Sequence, residues 1–415
     1  MRKILLGTTA VVGLALAAPA AFAQSAPPSI AAANTSALSV RLGGFFDFSY
    51  GIVSDEADKA GTNNRGANTQ SRASTDMRTE SEINLYVDGR AANGLQYGAV
   101  FELQMDNAAT GAADQTGVSY DELYGFVKGA WGELRFGQED SAASLMQVTR
   151  PSVLWMGVSD AWDEFLPASN YIMAGVGDGN DATKIIYLSP QFSGFDFGLS
   201  YAPNRFEGER ADTTTANTNQ RDNTGLTNEI SAALRYRGTV GGVGIAAGVV
   251  AQFADSAKQN ANGTAIATRD QNITTYSAGL VLSGIVPGFS IGADYTWGNY
   301  RTTPANGSLG AGVDGSTQLV LGATYTVGAL SIGANYGTAT QSNGGTVDDR
   351  TQTYVGAGIA YVVAPGMTLF ANYNVITDEN VPTAAPTSTG ATLTTYGSDN
   401  KRDITVAVAG VRVAF

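Results

Sequence analysis

Apolar and polar residues alternate with a period of two, segment after segment, along almost the whole of this sequence. In the stretch from Leu38 to Phe48, one face carries Leu38, Val40, Leu42, Phe46 and Phe48, and the opposite face Ser39, Arg41, Gly43 and Asp47. Ile83, Leu85 and Val87 then oppose Glu80, Glu82, Asn84, Asp88 and Arg90, and Tyr97, Ala99, Phe101, Leu103 and Met105 oppose Gln96, Glu102, Gln104 and Asp106. The pattern returns at 195–201, 230–236, 291–297, 319–325 and 332–336. Successive side chains of a strand point to opposite sides, so each segment reads as a strand with one apolar and one polar face. A soluble sandwich accounts for one such strand. It does not account for so many whose apolar face ends in an aromatic residue, as Tyr201, Tyr236, Trp297, Tyr325 and Tyr336 do. An apolar face closed by aromatics is the outer surface of a barrel standing in lipid.

The connections separate into two kinds. Short ones rich in Gly and Pro fall near 91–94, 129–132, 190–194, 238–242, 284–288, 327–329 and 364–366. Long polar ones fall near 53–76, 107–117, 140–182, 204–226, 255–271, 301–315, 339–350 and 378–402. They alternate, and fifteen connections join about sixteen strands, with both termini and the short turns on one side. The fold class is therefore all-β, a transmembrane antiparallel barrel. Hydrocarbon offers no partner to a backbone N–H or C=O, and a closed sheet satisfies every strand without leaving an edge. A barrel of this size keeps an aqueous channel, where a smaller one fills with side chains.

The ends and the composition fit export. Arg2 and Lys3 precede an apolar run from Ile4 to about Ala18, and Ala21-Phe22-Ala23 supplies small residues at the −3 and −1 positions, so residues 1–23 read as a cleaved signal peptide. Residues 24–36 read as a flexible periplasmic segment, and 37–415 as one barrel domain with no linker inside it. No later stretch is apolar for long enough to form a spanning helix. The chain has no His and no Cys, which removes Ser-His-Asp triads, cysteine nucleophiles and nearly all zinc chemistry, and no enzyme activity or cofactor is expected. A net charge of −13 argues against nucleic acid. The run Gly242-Val243-Gly244-Ile245-Ala246-Ala247 imitates a dinucleotide-binding fingerprint, but no helical pattern follows it, and it reads as a turn entering a strand.

Three local patterns carry a family resemblance. GELRFGQ (132–138) resembles the short turn and strand that lead into the third outer loop of the general Gram-negative porins, the trimeric sixteen-stranded type. YLSPQFSGF (187–195) resembles the hairpin that follows that loop, and the closing VAVAGVRVAF ends on Phe415 as that family's last strand does. The likeness covers about 37–415, with Gln138 standing where many relatives carry Arg. It implies a homotrimer in the outer membrane, in contact with lipid and lipopolysaccharide, that lets ions and small hydrophilic solutes diffuse passively.

The resemblance also implies that the third long loop, 140–182, folds into the lumen and narrows it. Leu145, Met146, Val148, Val153, Leu154, Trp155, Met156, Trp162, Phe165 and Leu166 are too apolar for an exposed loop and fit one packed against a wall. Asp160, Asp163, Glu164 and Asp178 are the acidic candidates for the constriction. Alternation sends Arg41, Arg78, Arg90 and Arg135 to the polar face as a basic wall, with Arg235, Arg237 and Arg412 on that face too. Charges arranged across a narrow aqueous passage set ion selectivity, and the acidic excess suggests mild cation preference. Asp178 and Asp181 offer oxygens of the kind calcium takes, without the spacing of an EF-hand loop. A solute-specific channel on the same barrel, or a barrel that anchors an adhesin, are the rival readings. Saturable block by one solute would mark the first, and a large extra domain the second.

Overall fold

A computed structural model of the chain describes residues 38–58, 72–105, 118–157, 161–166, 175–177, 179, 181–204, 225–259, 264–267, 270–300, 310, 313, 315–382, 389–393 and 401–415. The expected signal peptide and periplasmic segment, 1–36, lie outside these residues. Among the described residues, sixteen strands are present. The first six are β1 (Ser39–Asp55), β2 (Thr75–Arg90), β3 (Gln96–Gln104), β4 (Ser119–Gly129), β5 (Gly132–Gln138) and β6 (Thr183–Leu188). Next come β7 (Phe195–Asn204), β8 (Thr227–Val240), β9 (Val243–Asp255), β10 (Ile273–Ser283) and β11 (Phe289–Asn299). The last five are β12 (Ser316–Val327), β13 (Leu330–Gln341), β14 (Arg350–Ala364), β15 (Met367–Glu379) and β16 (Lys401–Ala414).

Each strand pairs antiparallel with its neighbours in sequence, and β1 pairs with β16 to close the barrel. Closure leaves no edge, as a sheet in lipid requires. The dinucleotide-like run is the turn at Gly241 and Gly242 followed by β9, and both turn glycines have positive φ.

The two faces sort as the alternation demands. Val40, Leu42, Phe46, Phe48, Tyr50 and Ile52 of β1 are exposed, whereas Asp47 and Ser49 between them, and Asp55 beyond them, are buried. On β7, Phe195, Phe197, Leu199 and Tyr201 are exposed, and Asp196 and Ser200 are buried. Exposed apolar and buried polar side chains are the reverse of a soluble protein, and hydrocarbon is the solvent that makes the arrangement stable.

β4 resolves a strand whose faces sequence alone leaves ambiguous. Its register with β3 slips between Phe101↔Leu123 and Leu103↔Tyr120, so Asp121 and Glu122 together oppose Glu102. Two residues against one is a bulge, and the phase of the alternation flips across it. Tyr120 is exposed while Phe126 is buried, although both are even-numbered.

Candidate functional site

The long connection between β5 and β6 opens with a short helix, α1 (Ala142–Met146), capped by Ser141, whose side chain accepts from the Ser144 amide at 3.2 Å. From there the chain runs along the polar face of the wall, on the side away from the exposed apolar residues. The Ala142 and Ala143 amides donate to Ser200 on β7 and Ser231 on β8, each at 3.1 Å. The Arg150 amide donates to Asp294 on β11 at 2.8 Å, and Asn335 on β13 donates to the Pro151 carbonyl at 3.0 Å. The Gly157 amide donates to the Tyr354 hydroxyl on β14 at 3.1 Å, and Asn372 on β15 donates to the Trp155 carbonyl at 2.9 Å. Trp155 Nε1 donates to Asp47 on β1 at 2.9 Å, and Glu164 pairs with Arg78 on β2. The segment therefore touches the wall at strands from β7 round to β2.

Glycines in the strands make this approach possible. A methyl group at Gly279 would overlap the Val148 carbonyl, and one at Gly322 would overlap the Pro151 carbonyl. Gly198, Gly248, Gly333 and Gly358 similarly receive Met146, Val148, Val153 and Met156. Glycine weakens a strand interior, and its use there marks a place where another backbone comes close.

The far part of the segment is held by aromatic packing. Trp155 and Trp162 are fully buried; Trp155 stacks on Phe370 at 4.9 Å, and Trp162 on Tyr354 at 5.6 Å. Trp155 has φ of 61°, a left-handed conformation that costs a bulky residue about 1–3 kcal/mol and persists only where its surroundings hold it. The short 3₁₀ helix Ala161–Phe165 lies against β16 and β1, where Gly51 leaves room for the Phe165 ring.

Beside the remaining wall, β3 to β6, gather carboxylates of β2, β3, β4 and the two ends of the β5–β6 connection. Carboxylate oxygens of Glu82, Glu102 and Asp121 lie within 4.8 Å of one another, as do those of Glu122, Asp140 and Asp181. The bulge opposite Glu102 is what puts Asp121 and Glu122 into adjacent clusters. Basic groups on these strands include Lys128, which lies over the Phe126 ring, Arg135, which donates to Glu133 at 2.7 Å and Glu139 at 2.8 Å, and buried Lys184, which donates to the Glu139 carbonyl.

Of the acidic residues singled out from sequence, Asp160 and Asp178 lie outside the described residues. Asp163 is buried in the 3₁₀ helix, and Glu164 meets Arg78. Arg41 pairs with Asp88 at 2.8 Å and lies over the Tyr86 ring, while Arg90 is exposed at the end of β2. The arginines of the polar face mostly sit on aspartates of that same face: Arg235 and Arg237 on Asp196, Arg412 on Asp47, Arg350 on Asp378 and Arg402 on Asp55. Asp181, a candidate calcium ligand, falls in one of the carboxylate groups without Asp178 being described. Sequence reading passed over the carboxylates of β3 and β4 and the strand glycines. The glycines carried a usable signal, because an isolated glycine within an alternating strand calls for an explanation.

The chain matches the family model described as Gram-negative porin over residues 7–381. No curated protein matches it. Among solved structures it is similar to the anion-selective porin from Comamonas acidovorans, at 17% identity and TM-score 0.59, covering 91% of this chain and 100% of that one. A mutant porin of Rh. blastica aligns at 17% identity and TM-score 0.51 with the same coverage. A loop-deletion variant of OmpT, an outer membrane protein of Vibrio cholerae, aligns at 12% identity and TM-score 0.53, covering 91% of this chain and 99% of that one. At these identities the structural likeness establishes the fold, and the family match establishes the kinship: the chain belongs to the Gram-negative porins, as a channel of the outer membrane.

Proposed function

We propose that the barrel is an open, water-filled pore for passive diffusion of ions and small hydrophilic solutes, narrowed by the segment between β5 and β6, and mildly cation-preferring. The observation that carries this reading is the run of contacts from Ser200 on β7 to Arg78 on β2, all made by that segment on the polar face. A barrel that exposes its apolar face to lipid keeps the polar one for the interior, so a segment seated there narrows the lumen from one side. The passage then runs between the seated segment and the wall of β3 to β6, where the carboxylates gather.

That geometry supports a sign for the selectivity. The carboxylate oxygens of Glu82, Glu102 and Asp121 lie within 4.8 Å of one another, as do those of Glu122, Asp140 and Asp181. A carboxylate-rich stretch of channel concentrates cations and repels anions. The porin of Comamonas acidovorans is anion-selective by name; the opposite sign is proposed for this chain on its own residues.

A homotrimer in the membrane, among lipid and lipopolysaccharide, is part of the same reading. β5 and β6 have 7 and 6 residues, against the roughly 9–11 that a tilted strand needs to cross hydrocarbon. Exposed Phe136 and Ile185 on so low a wall are better covered by another copy of the chain than by lipid alone. Residues 1–23 would be removed on export.

Single-channel recording in a planar bilayer with a KCl gradient tests this reading. Large ohmic steps in groups of three, with a reversal potential of the cation-selective sign, are expected. Folded, inserted protein that passes no current would overturn it, and saturable block by one solute would move it to a solute-specific channel.

A further inference from the structure

We propose that Asp47 is a positioning residue for transport: it holds the tip of the loop to the seam where the barrel closes, so that loop placement depends on closure. The proposal rests on reading that loop as the lining of the passage. β1 and β16 come from opposite ends of the chain and meet only when the barrel closes, and Asp47 and Arg412 stand directly opposite each other in their register. The Asp47 carboxylate is fully buried and accepts three hydrogen bonds. Arg412 Nε donates to Oδ1 at 2.7 Å, Arg412 Nη2 donates to Oδ2, and Trp155 Nε1 donates to Oδ2 at 2.9 Å.

Trp155 is thus bonded by its side chain to β1 and by its carbonyl to Asn372 on β15, spanning the seam on the polar face. Its ring also stacks on Phe370 and lies 5.6 Å from the Arg78 guanidinium of β2. The left-handed backbone at Trp155 is the second sign that this position is imposed by its surroundings. Its receptor is built from both ends of the chain, from β1 and β2 on one side and β15 on the other. Before β1 meets β16 that receptor does not exist, so the tip docks only on a closed barrel. Asp47 is the atom group common to both events, because the same Oδ2 serves the seam and the loop.

The absence of native cysteine permits a clean test. Trp155→Phe keeps the stacking ring and the Asp47–Arg412 pair but deletes the N–H donor. Folded, inserted Trp155→Phe is expected to show single-channel current that breaks into several levels, with open-channel noise raised severalfold. Asp47→Asn should do the same, and its folded form should also be lost at lower temperature in a gel-shift assay, because Arg412 loses its counterion. A folded Trp155→Phe channel with wild-type conductance and noise would overturn the proposal, whatever the yield of Asp47→Asn. Glu164→Cys, labelled in the bilayer with a charged thiol-specific methanethiosulfonate, separates the two levels of the argument. A stepwise fall in current supports the loop as pore lining. Full labelling without a fall overturns that reading, while a fall combined with a quiet Trp155→Phe channel overturns the role of Asp47 alone.

Discussion

The wall from β7 round to β2 and the wall from β3 to β6 belong to one sheet but are built on opposite rules. In the first, glycines admit a loop backbone, tryptophans lie fully buried, and the arginines mostly sit in pairs with carboxylates. In the second, strands shorten to 7 and 6 residues, and carboxylates crowd around a bulge. One sector is packed against a loop; the other brings carboxylates within 4.8 Å of one another. The lesson is that a pore divides its labour around its circumference. Paired charge and close packing fix a loop on one side of the barrel, and grouped carboxylates mark the other.

The comparison breaks most sharply at Arg402. This residue and Asp55 are both fully buried and join β16 to β1. Arg402→Ala strands a buried carboxylate and should cost about 3–5 kcal/mol, read as a lower urea midpoint for unfolding from detergent micelles or vesicles. The double variant Arg402→Ala with Asp55→Ala should regain part of the loss; equal loss in single and double variants would show that the pair is not what holds the seam.

Next in size is Gly279→Ala. Its methyl group meets the Val148 carbonyl, so either the loop or the wall shifts, at about 1–3 kcal/mol. The expected result is a lower midpoint together with altered single-channel conductance. An unchanged conductance would mean that the loop does not govern the passage at this height.

Replacing charge in the other sector should have little effect on stability and a clear one on selectivity. Glu102→Gln with Glu122→Gln removes two of the crowded carboxylates, and the midpoint should hold or rise slightly, because like charges no longer repel. The reversal potential in a KCl gradient should move toward the anion-selective side, most strongly at low salt. No movement would place the selectivity elsewhere in the channel. The smallest effect belongs to Lys401→Ala, beside Arg402 in sequence but paired with Glu379 across an exposed contact of 2.7 Å. A change of less than about 0.5 kcal/mol is expected, and a larger one would erase the distinction between screened and buried pairs.

Much of the fold was legible before any coordinates. Alternation fixed which residues of β1 and β7 are exposed, and the spacing of turns put every short connection within three residues of its observed place, as at 91–94 and 284–288. The apolar residues of the long loop announced its burial, as Trp155 and Trp162 bear out. The site was less legible. Parity assigned Arg41, Arg78, Arg135 and Arg412 to the polar face, but parity says nothing of partners. Asp88, Glu164, Glu139 and Asp47 reach them across neighbouring strands or from the loop. The cluster at Glu102 was hidden because a bulge breaks the period on which the reading depended.

The sequence by itself determined that this chain makes sixteen strands, which face of each meets lipid, and which loop is too apolar to stand in water. These are properties of neighbours along the chain, set by a two-residue repeat and by turn chemistry. Only the tertiary structure decided that Asp47 holds both Arg412 and Trp155, that glycines of separate strands receive one loop, and that carboxylates of β2, β3 and β4 share a site. Those depend on shear and register around a closed sheet. Closure brings together residues more than three hundred positions apart, and no local pattern records at what height on the wall they meet.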